Sequence, residues 1–209
     1  PDIKFDSNGL CNHCRRYDEL CSSRIFEGQD GKLRLDEIVA KIKHKGKNQE
    51  YDCIIGVSGG VDSTYLAYLA KKLGLRPLAI HFDNGWNSNL AVKNIEKVLT
   101  KLDLDLFTYV IDWEEFKSLQ LSFLKASVPD GEIPTDHAID SLLWREASKR
   151  KIKYILSGMN FATESLSVPS WAYGHSDWKY IKAIQKKFCG EKLKNFPYYT
   201  FFSLFYYNF

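Results

Sequence analysis

The stretch 52–64 constrains the fold of this chain most strongly, because an apolar strand runs directly into a turn of small residues and then into a helix. Ile54, Ile55 and Val57 form a β-branched run typical of a buried parallel strand, and Gly59-Gly60 marks the turn. The helix is indicated by apolar side chains at helical spacing: Val61, Tyr65, Leu66, Leu69 and Leu73. Backbone N–H groups at the start of such a helix have no intrahelical partner, and together with the helix dipole they attract an anion. The stretch therefore predicts a phosphate-binding loop.

Spacing excludes two other phosphate motifs. A Walker loop requires Gly-x-x-x-x-Gly-Lys-Ser/Thr, but the positions that follow Gly56 at that spacing are Val61 and Asp62, and no lysine is present. A dinucleotide-binding fingerprint requires Gly-x-Gly-x-x-Gly, which Gly56, Gly59 and Gly60 do not fit.

The six residues Ser58 to Ser63, with the sequence SGGVDS, resemble the PP-loop of the ATP pyrophosphatase superfamily. Enzymes of that superfamily cleave ATP between the α and β phosphates, keep pyrophosphate in the loop and adenylate an oxygen of a second substrate. An ordinary strand-to-helix turn is the alternative interpretation, but six matching residues between a strand and a helix favour phosphate binding. The resemblance implies the following ATP-binding residues: Ser58, Gly59, Gly60, Asp62, Ser63, Thr64, Phe82, Asp83 and Gly158.

Composition limits the class of protein. With 209 residues, 44% of them hydrophobic and 26% charged, the chain has enough apolar material for one main globular domain. Lys and Arg number 29 against 26 Asp and Glu, an excess too small to predict a nucleic-acid partner. No signal peptide is visible, and no apolar run approaches the ~20 residues that span a bilayer. We expect a cytoplasmic protein without a transmembrane segment; whether it forms a homo-oligomer is left open.

The five cysteines favour metal binding or free thiols in a reducing compartment over a disulfide framework. Cys11 and Cys14 form a Cys-x-x-Cys pair, which supplies half of a tetrahedral zinc site. Cys21, His13 or a segment upstream of Pro1 are the candidates for the other half, and the alternative is that the cysteines stay reduced and metal-free. We predict Cys11, Cys14 and Cys21 as metal ligands, with tight zinc binding only in a chain extended upstream of Pro1.

Strands and helices alternate along the chain. After the first strand and its helix, the patterns predict further strands over 77–82, 104–111 and 154–157, and helices over 35–45, 90–101 and 138–151. This alternation implies right-handed βαβ units and an α/β fold with a doubly wound parallel sheet. Polar residues follow all four strands: Ser58, Asp83-Asn84, Asp112-Trp113 and Gly158 to Asn160. Since ligands bind beyond the carboxyl ends of parallel strands, these positions predict one site.

Further motifs follow the PP-loop in order: Asp112 to Phe116, Leu119 to Leu121, Phe123 to Ala126, Ile133 to Ala138 and Ser157 to Ser165. With Phe5-Asp6 and the Cys11–Cys14 pair, the series resembles the N-acetyl sugar amidotransferases of bacterial surface-polysaccharide, lipopolysaccharide O-antigen and nonulosonate biosynthesis. The resemblance extends from about Ile3 to Phe188. It implies a PP-loop fold of the HUP type, and ATP, Mg²⁺ and Zn²⁺ as cofactors. It also implies an activated N-acetyl sugar as substrate and a separate glutaminase and synthase pair that supplies ammonia.

The chain departs from the family pattern at both ends. Family members carry a second Cys-x-x-Cys upstream of the position of Pro1 and extend well past Phe209, whereas this chain ends in an aromatic run over 196–209. We expect an incomplete zinc-ribbon-like segment over 1–30, a PP-loop domain over 31–190 and the start of a truncated C-terminal region over 191–209. A membrane-surface role for the aromatic run is the alternative, but the run lacks basic flanks.

Four residues are predicted to be catalytic: Asp62, Ser63, Asp136 and His137. Asp62 is expected to bind Mg²⁺. Because Pro134 is expected to break the preceding helix, Asp136 and His137 are predicted to lie in a loop, where they either contact substrate or cap the next helix. The predicted substrate-binding residues are Asn84, Asp112, Asp136, His137, Asn160, Thr163 and Glu164. For the last three, capping of a local turn is the alternative.

The predicted reaction starts with attack of the acetamido oxygen on the α phosphorus of ATP, which gives an adenylated imidate, and ammonia then displaces AMP. One alternative is a tRNA-thiolating enzyme, which would need a thiol near the nucleotide; Cys53 lies on the wrong side of its strand and is expected in the core. Another is a non-catalytic, zinc-bearing adenine-nucleotide sensor. His81, inside a strand, is expected to be a core histidine.

Overall fold

A computed structural model describes residues 2–164 and 174–208. Pro1, residues 165–173 and Phe209 lie outside this range. The last residue of the predicted 157–165 motif, Ser165, is therefore outside the described residues.

Four strands form one parallel sheet in the order β3-β2-β1-β4. They are β1 (Cys53–Gly56), β2 (Pro77–Asp83), β3 (Leu106–Val110) and β4 (Ile155–Leu156). Ile54 of β1 pairs with Leu78 on one side and with Ile155 on the other. The chain first adds strands on one side of β1 and later returns to its other side, which confirms the predicted α/β fold with a parallel sheet.

Helices cover both faces of the sheet. In the described residues they are α1 (Asn12–Arg24), α2 (Gly28–Gly46), α3 (Val61–Lys72), α4 (Asn89–Leu102), α5 (Trp113–Ala126), α6 (Ile133–Lys149), α7 (Phe161–Glu164), α8 (Trp178–Phe188) and α9 (Phe201–Asn208). Side chains alternate along each strand, so Ile54 and Ile80 pack with α5, α6 and α8, while Ile55 and Ala79 pack with α3 and α4. The sheet is therefore doubly wound.

Several element boundaries differ from the predicted ones. α6 begins at Ile133 and not near Ala138, because Pro134 lies in its first turn, where a missing N–H leaves no hydrogen bond unmade. β3 is shorter than 104–111, since the N–H of Leu104 instead bonds to Leu99 O at the end of α4. α2 is longer than predicted, and α1, α5 and α8 have no predicted counterpart.

No helix among residues 2–164 and 174–208 has both the length and the apolar character needed to cross a membrane.

An ion pair at the amino-terminal edge of the sheet fixes β1 against β2. Asp52, 4% exposed, lies just before β1, and its Oδ1 accepts a hydrogen bond from Arg76 Nη2 at 2.6 Å. Its Oδ2 accepts from the backbone N–H of Arg76 at 3.0 Å. Arg76 also donates to the carbonyl oxygens of Gly46 and Gln49 at the end of α2. One guanidinium therefore joins α2, β1 and β2.

We expect Arg76→Ala to lower the free energy of unfolding more than the control substitution does, because it leaves the buried Asp52 carboxylate without its cation. Asp30→Ala is the control: it removes an exposed ion pair with Arg34 and is expected to cost less than about 1 kcal/mol. Urea unfolding of both variants measures the difference. Equal effects of the two substitutions would contradict the role given to the Asp52–Arg76 pair.

Candidate active site

The predicted phosphate loop connects β1 to α3. Gly60 is the N-cap of α3, with φ −81° and ψ 173°. The N–H of Ser58 donates to Ser63 Oγ at 3.2 Å, and the two serine hydroxyl oxygens are also 3.2 Å apart. These contacts close the loop over the start of α3, whose first N–H groups have no partner within the helix. The arrangement forms a cradle for an anion.

Gly59 holds this loop against α4. Its φ of +77° lies in the left-handed region, and a Cβ at this position would come within 2.4 Å of Ala91 O. The carbonyl of Gly59 also accepts a hydrogen bond from Asn94 Nδ2 at 3.2 Å. Gly59 is therefore required by the packing of the loop on α4.

Gly158 brings the end of β4 close to the same loop. A Cβ on Gly158 would lie 3.2 Å from Asp62 O, tighter than ordinary van der Waals contact. Two of the four predicted strand ends, at Ser58 and Gly158, therefore meet at the first turn of α3.

A cleft of about 770 Å³ opens beside the loop, at the carboxyl ends of β1, β2 and β4. Its volume is within the range of small-molecule sites. The strand ends contribute Ser58, Phe82, Asn84, Gly158 and Met159 to its lining, and the facing wall comes from Thr135, Asp136 and Asp140 of α6 with His175. Five predicted site residues are thus brought together: Ser58, Phe82, Asn84, Asp136 and Gly158.

The α6 wall of the cleft is acidic. Asp136 and Asp140 lie one turn apart, and His175 Nε2 is 3.0 Å from Asp140 Oδ2. This hydrogen bond raises the pKa of His175 above its ordinary value. Burial, together with the neighbouring carboxylates Asp130 and Asp140, raises the pKa of Asp136, although His175 acts in the opposite direction. A carboxylate with a raised pKa therefore lines the same cleft as Ser58 of the phosphate loop.

The end of β2 is held by a hydrogen-bond network around His81. His81 Nδ1 lies 2.9 Å from Val57 O, so Nδ1 carries a proton, and Nε2 accepts from Asn87 Nδ2 at 3.3 Å. Asn87 also donates to Asp83 Oδ1 at 2.9 Å. The prediction of a core histidine is confirmed, and Asp83 has a hydrogen-bonding role at the end of the strand.

The prediction that Asp136 and His137 share a loop is wrong, because both lie inside α6. Their side chains separate. His137 is fully buried, its Nδ1 is 2.6 Å from His175 O, and its Nε2 accepts from the N–H of Tyr199 at 3.2 Å. It stacks on the Tyr199 ring at 4.3 Å between centroids. Burial lowers its pKa. His137 therefore packs the core while Asp136 lines the cleft.

Asp112 does not line the cleft with the other strand ends. It caps α5, accepting from the N–H of Glu115 at 3.2 Å, and its second oxygen accepts from Asn195 Nδ2 at 3.0 Å. These hydrogen bonds lower its pKa. β3 is at the edge of the sheet, with β2 between it and β1, and Asp112 is not among the residues that line the cleft.

The short helix α7 follows the end of β4. Asn160 Oδ1 accepts from the N–H of Ala162 at 3.1 Å, and Glu164 Oε2 accepts from the N–H of Asn160 at 3.1 Å. The N–H of Thr163 bonds weakly to Asn160 O, at 3.3 Å. Asn160 and Glu164 thus have the capping role given as the alternative.

The cysteines divide into a pair and three separate thiols. Cys11 and Cys14 have their sulfur atoms 3.3 Å apart, which fits half of a zinc site. Cys21 lies about 10 Å further along α1, at ~1.5 Å per residue, too far to share an ion whose Zn–S bonds are ~2.3 Å. The described residues contain no group of three or more His, Cys, Asp or Glu side chains that could hold a metal ion, so the structure does not bring Cys21 to the Cys11–Cys14 pair. Cys53 is fully buried, as predicted, and burial raises its pKa to about 12.

The ion pair in the cleft lining, Asp140 with His175, was not predicted. Asp140 follows Asp136 by four residues, a spacing that places both on one helix face, so the helical pattern contained the signal. His175 is far from both in the chain, and no local pattern in the sequence connects it to α6.

A family model described as "Queuosine biosynthesis protein QueC" matches residues 52–159, just over half of the chain. The chain belongs to this family. The match begins just before β1 and ends at Met159, so it includes the phosphate loop and the strand ends that line the cleft. It confirms that the chain belongs to the predicted PP-loop ATP pyrophosphatase superfamily.

Curated relatives match shorter parts. The chain is 38% identical over 88 residues to a 7-cyano-7-deazaguanine synthase of Campylobacter jejuni, covering 42% of this chain and 34% of that protein. It is 34% identical over 79 residues to the tRNA-specific 2-thiouridylase MnmA of Desulfosudis oleivorans, covering 37% of this chain and 22% of that protein. The matched part is about a fifth to a third of the length of these curated relatives.

Among solved structures, the glutamine-dependent NAD⁺ synthetase from Acinetobacter baumannii in complex with ADP aligns with a TM-score of 0.50 at 16% identity. The alignment covers 83% of this chain and 32% of that one. The likeness supports the fold.

We expect Gly60→Val to abolish ATP binding while the protein remains folded. A Cβ at Gly60 meets only Ser58 Oγ, at 3.4 Å, so the fold loses about 1 kcal/mol at this N-cap, whereas the side chain occupies the phosphate cradle. Gly59→Val is the matched control: strain and the clash with Ala91 should lower stability by about 3 kcal/mol or more. Calorimetric ATP titration and urea unfolding separate the two effects. Unchanged ATP affinity in folded Gly60→Val would remove the phosphate from this position.

The His175–Asp140 pair predicts a pH-dependent stability. Because the pKa of His175 is raised on folding, the pair contributes fully below the ordinary histidine pKa of about 6.5 and is lost as pH rises through the folded value. The difference in free energy of unfolding between the unmodified protein and His175→Gln should be larger near about pH 6 than near about pH 9. Asp140→Asn should give the same trend. A difference independent of pH for both variants would contradict the ion pair.

Proposed function

We propose that this protein is an ATP-dependent amidotransferase that adenylates the acetamido oxygen of an activated N-acetyl sugar and replaces that oxygen with ammonia. The observation that carries the proposal is which residues line the cleft. The phosphate loop and the Asp136 carboxylate face the same space, while all five cysteines, each within the described residues, lie away from it. A thiolating enzyme needs a reactive thiol near the nucleotide. The lining therefore favours exchange of oxygen for nitrogen over exchange for sulfur.

The loop holds the β and γ phosphates of ATP in this proposal. Its backbone N–H groups and the hydroxyls of Ser58 and Ser63 donate to phosphate oxygens, and Gly60 lets them approach. The acetamido oxygen attacks the α phosphorus, the bond from that phosphorus to the bridging oxygen breaks, and pyrophosphate leaves. Catalysis of this step consists of positioning and charge stabilisation, so no protein nucleophile is required.

The second step exchanges the oxygen. Ammonia attacks the imidate carbon, and AMP leaves with the former acetamido oxygen. The attacking nitrogen loses a proton in this step, and Asp136, which lines the cleft and has a raised pKa, is the proposed acceptor. The Asp140–His175 pair lies beside it and keeps the second carboxylate of this wall in a fixed orientation. His137, buried behind the wall, has no part in the reaction.

Two metals fit the proposal to different degrees. Asp62 is exposed in the first turn of α3 beside the loop, and its carboxylate suits Mg²⁺, which supplies positive charge to the phosphates when bound. Cys11 and Cys14 would supply two of the four ligands of a structural Zn²⁺.

A planar heterocyclic carboxylate is the second candidate acceptor. It is favoured by the family match and by the relative named as a 7-cyano-7-deazaguanine synthase. The adenylation and ammonia steps would be the same on a carboxylate oxygen, so the two candidates differ in the ring that the protein binds.

We expect the protein to convert ATP into AMP and pyrophosphate, never ADP, in the presence of ammonium and an N-acetyl sugar nucleotide. The sugar should lose one oxygen, gain one nitrogen and elute earlier from an anion exchanger, because an amidine is protonated at neutral pH. Glutamine alone should not replace ammonium, since no cysteine stands in a nucleophile setting; adding a glutaminase partner should restore activity.

Gly60→Val serves as the inactive control for this assay. Release of ADP, or product formed from glutamine by the isolated chain, would contradict the proposal. AMP formation with a deazapurine carboxylate but not with an N-acetyl sugar would select the second candidate.

A further inference from the structure

A second cavity, of about 500 Å³, lies on the β2 side of the cleft. We call it the tryptophan pocket; its lining residues are Asn84, Trp86, Trp113, Lys117, Gln120, Leu121, Phe123, Leu124, Gly131 and Glu132. Asn84 lines both this pocket and the cleft beside the phosphate loop. The two cavities are therefore neighbours that meet at the end of β2.

The two indole rings of the pocket are held in fixed orientation. Their centroids are 5.6 Å apart and their planes cross at 74°. Trp86 Nε1 donates to Gln120 Oε1 at 2.6 Å, which satisfies its only polar atom. Gly85 makes this packing possible: its φ is +81°, and a Cβ there would lie 2.7 Å from the Trp113 ring. Trp86 nevertheless remains 65% exposed.

What distinguishes Trp86 from other exposed apolar side chains is that its ring is held in place beside a cavity. Neighbouring Leu124 is also 70% exposed. Polar groups border this apolar floor: the amine of Lys117, the amide of Gln120 and the carboxylate of Glu132. Lys117 lies 4.0 Å from Glu114 in a weak, exposed ion pair, so its amine is available to a ligand. Apolar walls with a few polar groups are the common form of a ligand site.

A pyranose matches this combination. One face of the ring presents C–H groups that pack on an aromatic face, and its edge carries hydroxyls that pair with carboxylate, amide and ammonium groups. The reacting acetamido group is a short arm on the same ring. Asn84 lines both cavities and so lies between the ring position and the cleft. Its Oδ1 accepts a hydrogen bond from the N–H of Trp86, and its Nδ2 donates no hydrogen bond within the described residues.

We propose that the tryptophan pocket binds the pyranose ring of the acceptor and that Asn84 guides its acetamido group toward the phosphate loop. The inference rests on the proposed function, because it names where that substrate binds. None of the PP-loop residues lines the tryptophan pocket, so ATP and the sugar occupy separate cavities. Trp86 is a binding residue for the ring, and Gln120 is a positioning residue that orients Trp86.

Equilibrium binding of UDP-N-acetylglucosamine and of ATP to the full chain tests this inference. Trp86→Ala should weaken binding of the sugar nucleotide about tenfold or more, by removing its apolar platform, and should leave ATP affinity unchanged. Trp86→Phe should retain part of the affinity. Glu132→Gln, which removes a charge at the rim without touching the core, should also weaken sugar binding. Tyr206→Ala removes an exposed aromatic side chain elsewhere and should change neither affinity.

The outcomes separate the pocket from the reaction. Trp86-dependent sugar binding without any amidine product would support the pocket and contradict the proposed function. Amidine formation with an unchanged KM for the sugar in Trp86→Ala would overturn the pocket and leave the function standing. A loss of ATP affinity in Trp86→Ala would identify the pocket as an adenine site and overturn the inference. Failure of the unmodified protein to bind the sugar nucleotide would overturn both.

Discussion

The pairing of β1 with strands on both of its sides is the constraint on which the rest of the structure depends. Ile54 pairs with Leu78 of β2 and with Ile155 of β4, so three parallel strands end at one edge of the sheet. The chain enters β2 directly after α3 and reaches β4 only after β3, α5 and α6. The chain segments that follow β1 and β4 therefore come together at a common edge, and the cleft opens beside them.

Gly59 and Gly60 lie at this edge, and the fold requires a glycine at only one of the two positions. Gly59 is fixed by its contact with Ala91 and by its positive φ, so the packing of α4 alone requires a glycine there. Gly60 has room for a Cβ and an ordinary φ, so nothing in the fold requires a glycine at that position. We therefore attribute the glycine at position 60 to the proposed phosphate ligand, which a side chain there would displace.

The sheet and the phosphate loop were predictable because their signals are local: β-branched runs, a Gly-Gly turn and helical periodicity occupy adjacent residues. The α6 wall of the cleft was harder to predict. Pro134 was predicted to break a helix, but it lies in the first turn of α6, which begins at Ile133. The prediction therefore missed that Asp136 and Asp140 share one face of this helix. His137 is buried while Asp136 lines the cleft, because His137 is held by hydrogen bonds to His175 and Tyr199. Both partners are distant in sequence, so no local pattern predicts this difference. The tryptophan pocket likewise joins β2 to α5 through tertiary contact.

The acidic wall opposite the phosphate loop has a consequence for the proposed chemistry. Carboxylates that face the site of a polyphosphate repel it, so Asp136 and Asp140 would weaken ATP binding if they served binding alone. Cations have the opposite preference, and the proposed reaction consumes ammonia, which is mostly ammonium at neutral pH, and forms a cationic amidine. The same carboxylates concentrate the nitrogen donor near the loop and stabilise the charge that develops as oxygen is replaced. The raised pKa of Asp136 then favours transfer of a proton from the donor to the carboxylate. Attraction of the donor, proton transfer and product charge thus all depend on the same side of α6.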